Sequence, residues 1–265
     1  MIKLIVFDLD GVLVDTKKIH FNSLNKALKK FRVNSISYED HLKIFDGLPT
    51  AEKLKIISKT KKLDNQTIKN IKRLKKKFTE NEIKKNVKKN KNVVQIFSNL
   101  SKKYKLAVAT NAVKSTLDIC LKNLQIKKFI SFTLSNEDVK MPKPHPEIYY
   151  KIFIKFKLYP DEVLIVEDSH VGRQAASLSG ANLLPIKDIN ETNLKNITDY
   201  LNELNNFNLS KKNNTWEDKN LNILIPMAGA GQRFADAGYV FPKPLIEIDN
   251  KPMIQWVIES LNVKG

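Results

Sequence analysis

The stretch Ile5-Val6-Phe7-Asp8-Leu9-Asp10-Gly11 restricts what this chain can fold into more than any other segment. A short run of Ile, Val and Phe predicts a buried strand. That strand ends in two carboxylates with a glycine behind them. If the extended geometry persists, Asp8 and Asp10 point to the same side. Like charges at that spacing oppose joint ionisation unless a cation sits between them or one keeps its proton. Both remedies suit a reaction centre, and Gly11 lets the backbone turn sharply towards a bound group.

After Thr16 the period changes from strand to helix. Ile19, Leu24, Ala27, Leu28 and Phe31 recur at helical spacing, with Asp15 or Thr16 as the expected cap. Further helices are expected over 51–58 and 66–78, with Asp46-Gly47-Leu48-Pro49-Thr50 as a turn between helices. An amphipathic run (Val93, Val94, Ile96, Phe97, Leu100) leads to an apolar strand, Lys105-Leu106-Ala107-Val108-Ala109, that ends in Thr110 and Asn111. A helix over 117–124 and a strand over 129–134 follow. In Pro142-Lys143-Pro144 a lysine is locked between two prolines, which restricts its backbone on both sides. A preordered point charge of this kind can meet charge developing on a transferring group. Val163-Leu164-Ile165-Val166-Glu167-Asp168-Ser169 repeats the opening design, an apolar strand with acids at its end. A small-residue helix over 175–178 leads on to a strand ending near Ile186.

Taken in order, these segments resemble the four motifs of the haloacid dehalogenase-like superfamily of phosphatases and phosphomutases. Asp8-Leu9-Asp10-Gly11-Val12 with Asp15-Thr16 is similar to motif I, Thr110 to motif II, Lys143-Pro144-His145-Pro146 with Tyr149 to motif III, and Glu167-Asp168-Ser169 to motif IV. All four fall at strand ends, where open α/β sheets bind their ligands. The resemblance implies an α/β fold: a Rossmann-like parallel sheet over residues 1–205 with an inserted helical cap at about 16–90. It implies Asp8 as nucleophile and Asp10 as acid–base, with Asp10 keeping its proton near neutral pH. It also implies that Thr110, Asn111 and Lys143 bind phosphate, and that Mg²⁺ is held by Asp8, the Asp10 carbonyl, Asp168 and Glu167. His20, on the first cap helix, is a candidate substrate-binding residue near Asp10. The expected activity is hydrolysis of a small phosphorylated metabolite, a sugar phosphate first. The alternative is a mutase resembling β-phosphoglucomutase, which carries an arginine in the cap loop where this chain has Gly47-Leu48-Pro49-Thr50.

A second resemblance begins after a polar, Asn-rich stretch whose later part, 206–220, reads as a linker. Gly229-Ala230-Gly231-Gln232-Arg233 and Phe241-Pro242-Lys243-Pro244 resemble the N-terminal signature of sugar-phosphate nucleotidyltransferases. There Gly229, Gly231, Arg233 and Lys243 would cradle a nucleoside triphosphate. At 221–265 this α/β domain is too short for a core of its own, so nucleotide transfer is expected only from a longer bifunctional protein. Its company suggests supply of an activated sugar for polysaccharide biosynthesis.

Bulk properties exclude some classes. At 265 residues, 42% hydrophobic and 28% charged, the chain has the composition of a globular protein. No apolar run reaches the roughly 20 residues that span a bilayer. The lone Cys120 allows no internal disulfide, which fits a cytoplasmic setting. The net charge of +18 raises nucleic acid as a partner, and residues 61–91 hold thirteen Lys or Arg against three acids. Only Phe78 is aromatic there, so the lysines read as solvated helix faces, drawing in anionic substrates, and nucleic-acid binding ranks last.

Overall fold

In the computed structural model, which describes residues 1–61, 63–213, 247–248 and 251–252, every residue of the first strand is buried. A strand apolar at each position needs cover on both faces, and a parallel sheet provides it. The strands β1 (Leu4–Phe7), β2 (Lys105–Ala109), β3 (Phe132–Leu134), β4 (Val163–Glu167) and β5 (Asn182–Pro185) form one sheet in the order β3-β2-β1-β4-β5. All four ladders are parallel, as the expected Rossmann-like core requires.

Helices α1 (Lys17–Lys30), α2 (Tyr38–Asp40), α3 (Thr50–Lys61) and α4 (Asn65–Asn86) lie between β1 and α5 (Lys91–Leu100) and form the cap. The others are α6 (Lys114–Leu124), α7 (Glu147–Phe156), α8 (His170–Ser179) and α9 (Leu194–Asn213). Alternate strand residues feed two separate cores. Ile5, Phe7, Val108 and Val166 pack with Phe97 of α5, Leu117 of α6 and Ile197 of α9. Leu4, Val6, Ala107 and Ile165 pack with Ile148 and Tyr149 of α7 and Ala175 of α8. The cap has a third core of its own, built from Leu24, Leu28, Phe45, Leu54 and Ile71.

Several expectations shift. Neither Asp15 nor Thr16 caps α1 through its side chain; Thr16 sits at the cap position, but its hydroxyl donates to the Asp10 carboxylate instead. The Asp64 carboxylate, which accepts from Thr67 N, starts α4, and the helix runs on to Asn86. The π-helical turn His41–Phe45 follows α2 directly, in a stretch where Leu42, Ile44 and Phe45 give no sustained helical period. The strand expected over 129–134 is shortened to Phe132–Leu134 by a 3₁₀ turn at Lys127–Phe129. α9 continues to Asn213, through the first part of the expected linker, because extending an existing helix costs far less than nucleating one.

The chain divides into two units after Asn205. Beyond α9 the described part of the second unit is a short antiparallel ladder between β6 (Glu247–Ile248) and β7 (Lys251–Pro252). Gly229, Gly231, Arg233 and Lys243 lie outside the described residues. No helix among the described residues is long and apolar enough to cross a membrane. Because the cap core is separate, Ile71→Ala is expected to cost about 2–5 kcal/mol of stability, read as a loss of urea resistance in the cap.

Candidate active site

The sheet register brings the polar residues together. Phe7 pairs with Val108 on one side and Val166 on the other, so the ends of β2, β1 and β4 are level. The strand order reverses between β1 and β4, which opens a crevice at their carboxyl ends. Asp8, Thr110 and the Glu167-Asp168 pair meet there, and Lys143 enters from the loop before α7.

Lys143 is 2% exposed and its ammonium group is fully bonded. It donates to Asp8 Oδ1 at 2.7 Å, Glu167 Oε2 at 2.7 Å and the Ala109 carbonyl at 2.8 Å. A buried charge persists only when paired and saturated in this way. Glu167 also accepts from Tyr149 OH at 3.3 Å and Ser169 Oγ at 3.0 Å. Gly172 makes room for it: a Cβ there would lie 2.0 Å from Glu167 Cδ. Likewise a Cβ on Gly11, whose φ is +88°, would lie 2.0 Å from Asp168 Oδ2.

Asn111, expected among the phosphate binders, has its amide engaged by backbone. Its Oδ1 accepts from Lys143 N at 3.1 Å, and its Nδ2 donates to the carbonyls of Lys143 (3.0 Å) and Gly47 (2.8 Å). It thereby fixes the Lys143 backbone and ties the cap turn to the core. Thr110 is buried at the crevice, its hydroxyl accepting from Ala112 N at 3.0 Å.

The expectation that Asp10 is the carboxyl pushed towards its protonated form is reversed: the upward shift falls on Asp8. Each carboxylate has its own cationic or donor partners. Burial, then Glu167, push Asp8 well above the usual carboxylate range, against the pull of Lys143. Burial acts the same way on Asp10, but His20, Thr16 and Lys75 outweigh it and hold Asp10 at about 2. His20 Nε2 lies 3.1 Å from Asp10 Oδ1, and Lys75 Nζ lies 2.9 Å from His20 Nδ1. His20, Thr16 and Lys75 thus favour the ionised Asp10 carboxyl, where the neighbouring carboxylates alone would favour the protonated one.

Oxygen atoms of Asp8, Glu167 and Asp168 lie within 4.8 Å of one another. Asp168 is buried, and neither of its carboxylate oxygens makes a well-aligned hydrogen bond, although Lys17 Nζ approaches Oδ2 to 2.7 Å. Burial raises Asp168 to about 6 despite that lysine. An all-oxygen cluster with an orphaned buried carboxylate oxygen fits a hard divalent cation such as Mg²⁺. The Asp10 carboxyl faces Thr16 and His20 instead, so only its carbonyl is left for a metal.

The crevice opens into a cavity of about 700 Å³ between core and cap, lined by Asp8, Asp10, His20, Thr110 and Lys143 from the motifs. Its cap side is cationic. Lys69, Lys72, Arg73, Lys75 and Lys76 of α4 line it; Lys69, Lys72 and Arg73 are also solvent-exposed, as expected of the lysine-rich face, whereas Lys75 turns inward to His20. Lys17, Lys53, His41 and Lys75 had no motif to mark them; their positions depend on how the cap folds back.

A family profile described as haloacid dehalogenase-like hydrolase matches residues 5–186. A phosphorylated carbohydrates phosphatase from Thermotoga maritima is 27% identical over 177 residues, 66% of this chain and 81% of that protein. The pyrophosphatase PpaX of Oceanobacillus iheyensis is 28% identical over 201 residues, 71% of this chain and 87% of that protein. Among solved structures, a β-phosphoglucomutase from Clostridium difficile superposes with a TM-score of 0.68 at 19% identity, covering 79% of this chain and all of that one.

Replacing Lys143 by methionine leaves two buried carboxylates without their cation. In metal-free buffer Lys143→Met is expected to lose about 3–5 kcal/mol at neutral pH. Asp8 already lies above its ordinary range, and the substitution raises it further. A carboxyl raised in the folded state costs stability above that value, so acidification should recover part of the loss. Urea unfolding at a series of pH values reads this directly.

Proposed function

The chain belongs to the haloacid dehalogenase-like hydrolases, and on that basis we propose that it is a Mg²⁺-dependent phosphatase of small phosphorylated metabolites, with Asp8 as nucleophile. The observation that supports this most is Asp8 itself. It is buried at the end of the central strand, aimed at the lysine of the third motif, and opens onto a cavity roofed by cationic cap residues. The name of the Thermotoga relative favours a phosphorylated sugar as substrate. The same reading retains the sugar-nucleotide connection of residues 221–265, which rests on their sequence motifs.

Phosphate monoesters hydrolyse so slowly unaided that splitting the reaction into two displacements is worthwhile. An Asp8 oxygen bonds to phosphorus while the ester P–O bond breaks, and Asp10 delivers a proton to the departing oxygen. Asp10 favours its ionised form in the empty site; a phosphoryl group arriving beside it raises its pKa, so it takes up a proton from solvent as the substrate binds, and that is the proton it delivers. Water then attacks phosphorus, its proton passes to Asp10, and the Asp8–phosphorus bond breaks. Thr16 and His20 hold the Asp10 carboxyl in position for both transfers. Lys143 pulls Asp8 back towards its anionic form against burial and Glu167 and, with Thr110 beside it, offsets the repulsion between that nucleophile and an anionic substrate. Magnesium held by Asp8, Asp168 and the Asp10 carbonyl, with Glu167 behind, would neutralise further phosphoryl charge.

Phosphate release over a panel of sugar phosphates tests the reading. Activity should vanish with EDTA and return with Mg²⁺, and Asp8→Asn should lower turnover by about 10³-fold or more. Undiminished turnover in Asp8→Asn would remove the proposal. Conversion of β-glucose 1-phosphate to glucose 6-phosphate, without net phosphate release, would assign the mutase instead.

A further inference from the structure

Two polar side chains on the cap wall of the cavity are buried and unpartnered. Lys53, on α3, is 6% exposed, and among the described residues its ammonium group makes no hydrogen bond and no direct ion pair, although Asp46 and Asp10 act on it from further off. His41, in the π-helical turn, is 1% exposed and neither ring nitrogen has a partner. Both line the cavity that contains Asp8 and Asp10. Buried polar groups are nearly always satisfied, and leaving one unmade costs its full desolvation. π-Helical turns, for their part, gather at functional sites. Two such groups facing one cavity indicate that something with acceptor atoms belongs between them.

The charge around them narrows what that is. Lys69, Lys72 and Arg73 also line the cavity, solvent-exposed and without an ion pair among the described residues, while Glu52, the acid nearest in sequence to Lys53, is taken by Lys55 at 2.8 Å. Burial first, then Lys53, depress His41 to about 4, so its ring is a neutral N–H donor beside an ammonium group. An ammonium, an imidazole N–H and three further cations exceed what one carboxylate needs and suit a dianion. These groups sit on the cap, whereas the transferring phosphoryl group is served by Lys143 and Thr110 at the strand ends. A cavity of about 700 Å³ holds a small sugar skeleton with a group at each end.

We propose that the substrate carries a second phosphoryl group, bound by Lys53 and His41, so that the enzyme selects bisphosphorylated metabolites over monophosphorylated ones. This rests on the phosphatase reading above and adds its substrate class. A lysine kept buried with only the distant fields of Asp46 and Asp10 to offset its desolvation weakens the empty protein, so its removal should stabilise the fold while spoiling recognition.

The test compares fructose 1,6-bisphosphate with fructose 1-phosphate, fructose 6-phosphate and 2-phosphoglycolate. Wild type should favour the bisphosphate in kcat/KM by about tenfold or more. Lys53→Met should erase most of that preference and raise the unfolding temperature, and His41→Phe should reduce it through a second, independent site. Calorimetry on Asp8→Asn should show the same order of binding, whether or not phosphate is released. Equal affinities for bisphosphate and monophosphates would overturn the inference, as would a uniform loss for all substrates in Lys53→Met. Preference for 2-phosphoglycolate would replace the second phosphoryl group with a carboxylate and equally reject it. If no compound turns over, the phosphatase reading fails, while the binding comparison still decides this one.

Discussion

The pairing of Lys143 with Asp8 and Glu167 is the interaction on which the remaining geometry hangs. An ammonium group at 2% exposure survives because two carboxylates and a carbonyl accept hydrogen bonds from its three N–H groups. Such pairs rarely add net stability, since desolvating both charges consumes most of the Coulombic gain. The fold therefore has to supply that stability from elsewhere, and it does so by packing both faces of the sheet. Around the pair, each neighbour has a positional duty. Asn111 fixes the lysine backbone, Tyr149 and Ser169 orient Glu167, and Gly172 leaves space for that carboxyl.

The cap is bound to this centre through charged and polar groups as well as apolar contacts. Lys17 joins Asp46 at 3.2 Å to Asp168 at 2.7 Å. Asn111 joins the core to the Gly47 carbonyl, and Lys75 reaches Asp10 through His20. Each tether ends on a group assigned to the chemistry or on its immediate support. The same contacts thus fix both the position of the cap and the geometry of the candidate reacting groups.

Much of the centre was legible because it lies at strand ends. An apolar run followed by Asp8, by Thr110 or by Glu167-Asp168 declares both the sheet and the place where ligands meet it. Lys143 was legible for a local reason, the prolines on either side. The cap residues were not. Lys53 and Lys75 sit among lysines that look alike in sequence, and only the packing of α3 and α4 separates those facing the cavity from those facing solvent. His41 belongs to a π-helical turn that has no periodic signature. The ionisation of Asp10 escaped for a similar reason: its partners His20 and Lys75 are ten and sixty-five positions away, so no local pattern reports them.

Formation of an acyl phosphate on one particular carboxyl group is the central step of the proposed reaction. It can be trapped by mixing enzyme, Mg²⁺ and a substrate that releases phosphate, quenching in acid, and reducing the mixed anhydride with borohydride before peptide mass spectrometry. Conversion of Asp8 to homoserine is the predicted result. Homoserine at any other aspartate, or no reduced residue while turnover is under way, would contradict it.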